Sequence, residues 1–170
     1  MKTLAIINFG NTPENELANF GIRNAARAVI FDKDGKIALM HSTVDKFHKI
    51  PGGGLEGNEN KETALRRECL EEAGVEVDNL IELGFVKEIK GDDKMVQNSY
   101  CYITKVVGDK KTPTFTESEI AQGFEVIWVS LDEAYNLVKN DGYKNGLGRY
   151  IRERELNILK EAKEFDKTKL

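Results

Sequence analysis

Residues 51–77, PGGGLEGNENKETALRRECLEEAGVEV, constrain the fold more than any other part of the sequence. Three consecutive glycines precede a segment rich in glutamate, leucine, alanine and arginine, which are good helix formers. Asn58 or Asn60 can cap the start of that helix, and Gly74 is placed to end it after Ala73. The sequence therefore predicts a glycine turn that leads directly into a helix.

Three glutamates in this predicted helix, Glu68, Glu71 and Glu72, are spaced i, i+3 and i+4. At about 100° per residue they fall within an arc of roughly 100°, so their carboxylates share one face. Convergent carboxylates form an oxygen-rich site that suits hard cations such as Mg²⁺ or Mn²⁺. A solvated acidic face is the alternative, and helix composition alone favours it, because glutamate is common on helix surfaces.

Strand patterns occur on both sides of this segment. Apolar, β-branched runs that end in turn residues predict strands. They comprise AARAVIF (25–31) and IALMH (37–41), predicted to form a hairpin; a short strand around 47–50; VEVDNLIELGFVKEI (75–89) and MVQNSYCYITKVV (95–107), predicted to form a second hairpin; and FEVIWV (124–129). The segment 108–123 is interpreted as a polar loop.

Two further helices are predicted after the last strand. Ser130 is placed to cap the first, with Glu133 three positions further on. The second covers about residues 143–165 and is amphipathic, because one helical face carries Leu147, Ile151, Ile158, Ala162 and Phe165. Arg154 and Glu155 interrupt this apolar stripe, which favours packing on the parent domain over a coiled-coil seam.

The composition bounds the class of protein. At 170 residues and 40% apolar content, the chain predicts one domain, residues 1–170, of α/β class with a mixed sheet and helices on both faces. A net charge of −4 argues against a nucleic-acid polymer as partner. The sequence has neither a signal pattern nor a run of about 18 apolar residues, so we expect no membrane partner and a cytoplasmic location. Cys69 and Cys101 are interpreted as buried thiols.

The spacing of the charged residues matches a known pattern. From the glycine turn onward, the fixed residues are Gly53, Glu59, Arg67, Glu68, Cys69, Glu71, Glu72, Gly74 and Val75. This series resembles the Nudix box, G-x5-E-x7-R-E-U-x-E-E-x-G-U with U apolar, at every fixed position. Cys69 stands where the family more often has an aliphatic residue, and a buried cysteine is an acceptable substitute.

The resemblance extends over about residues 22–140. It includes the RAVIF strand, the Pro51-Gly52-Gly53 turn and the WVSLDEA segment. What it implies for the fold is a Nudix-type α/β/α sandwich with a mixed sheet, followed by the C-terminal helix.

The resemblance implies a Nudix hydrolase, which cleaves a nucleoside diphosphate linked to another moiety by attack of water on phosphorus. Such a reaction needs neutralised phosphate oxygens and an oriented water, and divalent cations such as Mg²⁺ or Mn²⁺ serve both needs. By similarity, Glu68, Glu71 and Glu72 are the metal ligands, and the carbonyl of Gly52 is a candidate to complete the shell. Glu68 or Glu71 is also the candidate for deprotonating or orienting water.

Further charged residues are implied by the same resemblance. Glu59 and Arg67 would act in support, because an Arg–carboxylate pair can hold the loop against the helix. Members of the family often use another glutamate, on a loop before the last strand, as a base or metal ligand. Glu117 and Glu119 lie in that loop here.

Candidates for substrate contact lie around the glycine turn. Arg23 and Arg27 precede or open the first core strand, where a basic residue could contact a phosphate; a surface arginine is the alternative. Gly53 lets the backbone approach a phosphate or metal closely. Phe47 could stack on a base, although packing in the core is favoured.

The favoured function is therefore a metal-dependent pyrophosphohydrolase acting on a nucleoside triphosphate or related nucleotide, as a monomer or homodimer. No proline lies between Val75 and Thr112, which argues mildly against the ADP-ribose type. The alternative from another class is a non-catalytic Nudix-fold sensing or interaction module. Such members usually lose box glutamates or carry a DNA-binding domain, and this sequence does neither. An isopentenyl diphosphate isomerase has no support outside the box.

Overall fold

The computed structural model describes residues 1–143 and 146–170. Within them, one sheet comprises β1 (Thr3–Ile7), β2 (Gly21–Phe31), β3 (Ile37–Ser42), β4 (Phe47–Lys49), β5 (Gly52–Gly54), β6 (Glu76–Lys90), β7 (Met95–Val107) and β8 (Phe124–Val129). The α-helices are α1 (Lys61–Ala73), α2 (Glu117–Ala121), α3 (Leu131–Lys139) and α4 (Gly146–Glu164), with 3₁₀ turns at Glu14–Asn19 and Lys167–Lys169. Residues 144 and 145, which the predicted helix 143–165 includes, lie outside the described residues.

The sheet is mixed, with the strand order β1-β6-β7-β2-β3-β4. The predicted second hairpin is present, because β6 and β7 are antiparallel neighbours. The predicted hairpin of β2 and β3 is present but short, because these antiparallel neighbours pair only at Phe31 and Ile37. One edge of β2 pairs in parallel with β7 along its whole length, and the other edge is shared with β5 at residues 25–27.

Helices cover both faces of the sheet. On one face, α1 packs against β2, in a cluster that includes Ala26, Ala28, Ile30, Leu65 and Cys69. On the other face, α3 and α4 cover the sheet, in a cluster that includes Val29, Leu39 and Ile103 of the strands and Ala134, Ile158 and Leu159 of the helices. This arrangement confirms the predicted α/β class with a mixed sheet. It also shows that α4 packs on its own domain, as its interrupted apolar stripe suggested.

Three features differ from the sequence expectations. Thr3–Ile7 forms an edge strand parallel to β6, although the N-terminal segment carries no diagnostic pattern. The expected polar loop 108–123 contains α2, which Thr116 and Glu119 stabilise through a capping box. Arg154 and Glu155 of α4 are buried in the protein, with exposed fractions of 2% and 0%.

In the described part of the chain, none of the helices combines the length and apolar character needed to cross a membrane.

Candidate active site

The glycine turn forms β5, which pairs antiparallel with residues 25–27 of β2. Gly52 has a φ of 141°, and a Cβ there would lie 2.3 Å from the carbonyl oxygen of Ala26. A Cβ on Gly53 would lie 2.3 Å from Oε1 of Glu68. Gly52 therefore requires glycine, for its dihedral angle and its contact with β2, whereas a side chain at Gly53 would displace the carboxylate of Glu68.

The caps at its two ends and the burial of one face fix the position of helix α1 relative to this turn. The Asn60 side chain accepts a hydrogen bond from the Thr63 N–H, at 2.8 Å, and so caps the first turn. Gly74 ends the helix in the left-handed conformation, with φ 66°. Leu65 and Cys69 are fully buried against the sheet. The helix is thereby fixed with Glu68 and Glu72 close to β5.

Glu72 is buried beside the glycine turn. Its Oε2 accepts a hydrogen bond from the Gly52 N–H at 2.7 Å, and its Oε1 lies 2.5 Å from Nζ of Lys49. Burial raises the pKa of the Glu72 carboxyl, and Lys49 and the Gly52 N–H oppose that rise only in part. Glu72 therefore lies in an environment where additional positive charge would be stabilising.

Glu119, one of the two loop glutamates singled out in the sequence, lies against Glu72. Burial raises the pKa of Glu119, but hydrogen bonds from Thr116 and with Glu72 outweigh this effect, and the pKa is lowered overall. The Thr116 N–H donates to Oε2 of Glu119 at 2.8 Å. Glu117, the other candidate, is exposed at the start of α2. The structure therefore brings Glu119 to the box and leaves Glu117 at the surface.

Arg67 connects the remaining box glutamates. Its Nε and Nη2 donate to the two oxygens of Glu59 at 2.9 and 3.0 Å, a bidentate pair. Its Nη1 lies 2.8 Å from Oε1 of Glu68 and 3.0 Å from Oε2 of Glu71, and its Nη2 also donates to the Gly54 carbonyl at 3.1 Å. One guanidinium thus joins the loop, the helix and the glycine turn, which is the arrangement that the resemblance implied for Arg67 and Glu59.

Glu68 and Glu71 differ in their surroundings. Burial raises the pKa of the Glu68 carboxyl, and Arg67 offsets that rise only in part. The side chain of Glu71 is 45% exposed. Of the two, Glu71 has the better access to solvent water, whereas Glu68 lies against the backbone of Gly53.

A model of the NUDIX domain matches residues 21–151, well over half of the chain. The chain belongs to the Nudix family. The matched region contains the complete box, so this Nudix protein is a phosphoanhydride hydrolase with pyrophosphohydrolase chemistry. Comparison with curated protein sequences gave no match.

Solved structures of Nudix hydrolases share the fold. A NUDIX hydrolase from Nitrosomonas europaea superposes with a TM-score of 0.54 at 22% identity, over 77% of this chain and 86% of that chain. A MutT NUDIX hydrolase from Burkholderia pseudomallei gives a TM-score of 0.54 at 21% identity, over 78% and 96% of the respective chains. These likenesses confirm the predicted MutT-like Nudix fold.

The donor set of this Nudix site fits a hard divalent cation. Among residues 1–143 and 146–170, no three His, Cys, Asp or Glu side chains converge closely enough to form a ready metal site. The carboxylates instead bond to Arg67 and Lys49. Even so, Glu68 and Glu72 are buried oxygen donors one helical turn apart, and burial raises the pKa of both. Mg²⁺ and Mn²⁺ prefer such ligands.

The substrate-contact candidates lie in different surroundings. Arg27 is 5% exposed, and its Nη1 donates to the Gly52 carbonyl at 2.9 Å, so its guanidinium supports the glycine turn from within. Phe47 is buried and packs edge-to-face on Phe124, with ring centroids 5.7 Å apart, which agrees with the favoured core interpretation. Arg23 is exposed beside Gly54: a Cβ added to Gly54 would lie 3.4 Å from the Arg23 guanidinium.

Lys49 is the residue that sequence reasoning missed. It is the last residue of β4. Its ammonium lies 2.5 Å from Oε1 of Glu72 and 5.0 Å from the ring centroid of Phe124. The sequence indicates its position only in part. Lys49 comes just before the glycine turn, and strand alternation places its side chain on the face opposite that of His48. The box pattern carries no position for it, so only the fold brings it to the carboxylates.

Proposed function

We propose that this Nudix hydrolase is a metal-dependent pyrophosphohydrolase acting on a nucleoside triphosphate or a related nucleotide by attack of water on phosphorus. The observation that carries the proposal is the placement of two buried carboxylates, Glu68 and Glu72, against the backbone of Gly53 and Gly52. Lys49 and Arg67 offset the desolvation of these carboxylates only in part, and a divalent cation would offset more of it.

The roles of the residues follow from their positions. Glu68, Glu71 and Glu72, with the carbonyl of Gly52, would hold the cation. When bound, Mg²⁺ or Mn²⁺ supplies charge neutralisation on the phosphate oxygens and acidifies a coordinated water. Glu71 is the most exposed of the three carboxylates and is the better placed to orient the attacking water and accept its proton.

Supporting roles belong to other side chains around the box. Glu59 and Arg67 hold the loop against α1 through their bidentate pair. Glu119 is the additional ligand or base, because it lies at Glu72, whereas Glu117 does not. Arg23, exposed beside Gly54, is the arginine that can contact a substrate phosphate. We further propose that the protein acts in the cytoplasm as a monomer or homodimer.

The test is a metal-dependent assay of a nucleotide panel. The panel comprises nucleoside triphosphates, nucleotide sugars, ADP-ribose and dinucleoside polyphosphates, each with Mg²⁺, with Mn²⁺ or with a chelator. We expect cleavage only with metal, the highest kcat/KM for a nucleoside triphosphate, and a nucleoside monophosphate as product. Chelation should abolish turnover, and added Mg²⁺ should restore it.

Two results would contradict this expectation. Turnover that persists in excess chelator would remove the metal from the mechanism. A nucleotide that binds tightly in calorimetry but is not cleaved with any metal would instead identify a sensing module with the same fold.

A further inference from the structure

Four charged side chains are buried together between α4 and the sheet. They are Arg27 of β2, Glu88 of β6, and Arg154 and Glu155 of α4, with exposed fractions between 0% and 5%. Burying an ion is costly unless the ion is paired and hydrogen-bonded. Apolar residues would have continued the stripe of α4 at no such cost. The partners of these four side chains therefore indicate why charged residues occupy this position.

Arg154 is the centre of the group. Its Nε and Nη2 lie 2.8 and 2.6 Å from Oε1 of Glu155, and its Nη1 lies 3.1 Å from Oε2 of Glu88. Burial alone raises the pKa of Glu88, but the positive charges of Arg154, Lys90 and Arg27 outweigh this effect, and the pKa of Glu88 is lowered. The two carboxylates and Arg154 thus form a hydrogen-bonded network fixed in one geometry.

One route leads from this network to the glycine turn directly. Oε2 of Glu155, the oxygen not engaged by Arg154, accepts a hydrogen bond from the Ile50 N–H at 3.1 Å. A second route passes through the sheet, by way of Gln97 and Ser99, to Arg27. Arg27 then donates to the Gly52 carbonyl at 2.9 Å. Both routes end on the segment 50–52.

The segment 50–52 has few backbone donors, and each is bonded to a carboxylate. Pro51 has no N–H, so Ile50 and Gly52 supply the only two. The Ile50 N–H bonds to Glu155 on the α4 face of the sheet, and the Gly52 N–H bonds to Glu72 on the α1 face. The two helices hold the same three residues from opposite sides of the sheet.

We propose that Glu155, oriented by Arg154, is a positioning residue that sets the Ile50–Gly52 backbone at the metal site. The inference rests on the proposed function, because the Gly52 carbonyl and Glu72 belong to the proposed metal shell. It makes α4 a functional part of the active site, although α4 packs on the face of the sheet opposite α1. Groups that orient metal ligands in this way typically contribute about 10- to 100-fold to metal affinity.

The test is Glu155→Gln, which keeps the size of the side chain and an acceptor for the Ile50 N–H while removing the charge that orders Arg154. Mn²⁺ affinity is measured by electron paramagnetic resonance without substrate, and amide hydrogen exchange at Ile50 and Gly52 is measured by NMR without metal. We expect Mn²⁺ binding about tenfold weaker. We also expect faster exchange at both amides and a lower kcat at saturating Mg²⁺.

Leu159→Ala is the matched control. Leu159 is fully buried in the same helix, one turn after Glu155, and belongs to the apolar cluster. Its truncation should destabilise the fold by creating a cavity but leave Mn²⁺ affinity unchanged. Arg154→Lys keeps the positive charge but loses the planar guanidinium, so it should give an intermediate loss of Mn²⁺ affinity. It replaces Glu155→Gln as the test variant if Glu155→Gln folds poorly.

The outcomes separate this inference from the proposed function. Unchanged Mn²⁺ affinity and unchanged exchange in both Glu155→Gln and Arg154→Lys, with only lower stability, would show that the network is purely structural. An equal loss of affinity in Leu159→Ala would also show this. A wild-type protein that binds Mn²⁺ but cleaves no nucleotide would refute the proposed substrate while leaving the positioning role measurable. A wild-type protein that binds no Mn²⁺ would refute both.

Discussion

Glu72→Gln should lower kcat on the order of 10²-fold or more, because it removes a charge from the proposed metal site without changing the size of the side chain. Glutamine can still accept the hydrogen bond from the Gly52 N–H, which is 2.7 Å from the carboxylate. What it loses is the negative charge that a divalent cation requires. Turnover is measured with the best nucleotide of the panel at saturating Mg²⁺.

The fold should tolerate this substitution. Burial raises the pKa of Glu72, so removing its charge relieves a desolvation cost that offsets the lost ion pair with Lys49. We expect the free energy of unfolding without metal, measured with denaturant, to change little. Glu62→Gln is the matched control, since Glu62 is exposed in the first turn of the same helix and faces away from Glu68. A Glu72→Gln protein with normal kcat would refute the ligand assignment.

The part of the site that the sequence predicts is the part formed by local structure. Asn60 and Gly74 determine where α1 begins and ends, and the helical period then places Glu68 and Glu72 on one face. These features depend on residues only a few positions apart. They could therefore be derived without knowledge of the rest of the fold.

Long-range pairing could not be derived in this way. Closeness in sequence favours β3 as the partner of β2, yet β2 pairs along its whole length with β7, whose residues lie 74 positions further along the chain. Strand patterns indicate that a strand exists but not which strand lies beside it. The turn at 32–36 is real, and it joins strands that pair at only one position.

Buried charge is the other feature that the sequence does not reveal. Charged residues are rarely buried unless paired, so in the sequence Arg154 and Glu155 look like interruptions of an apolar face. Glu88, the partner of Arg154, lies on β6, and nothing in the local pattern of α4 indicates that pairing. Lys49 escapes sequence reasoning for a similar reason, because only the tertiary structure brings its ammonium to Glu72 of α1.

Gly53→Val should abolish turnover, and the physical reason is specific to this fold. A Cβ on Gly53 would lie 2.3 Å from Oε1 and 2.6 Å from Cδ of Glu68, far inside van der Waals contact. The Glu68 carboxylate must then leave its position, and the proposed metal shell loses one ligand. Since the clash arises at the Cβ atom itself, Gly53→Ala should be nearly as harmful as Gly53→Val.

If Gly53→Ala and Gly53→Val lose nearly equal amounts of activity, the cause is the contact between the Cβ atom and the Glu68 carboxylate. A general need for a small residue would instead let alanine retain activity. Gly57→Asn is the control, because Gly57 lies in the turn that follows β5, with φ 50° and open space around it, and asparagine adopts that conformation with little cost. Turnover and Mn²⁺ affinity of the three variants are compared with their denaturant midpoints. We expect turnover and affinity to be lost in the Gly53 variants and to stay near wild type in Gly57→Asn. An active Gly53→Ala protein with normal Mn²⁺ affinity would show that Glu68 need not lie against this backbone for the metal to bind.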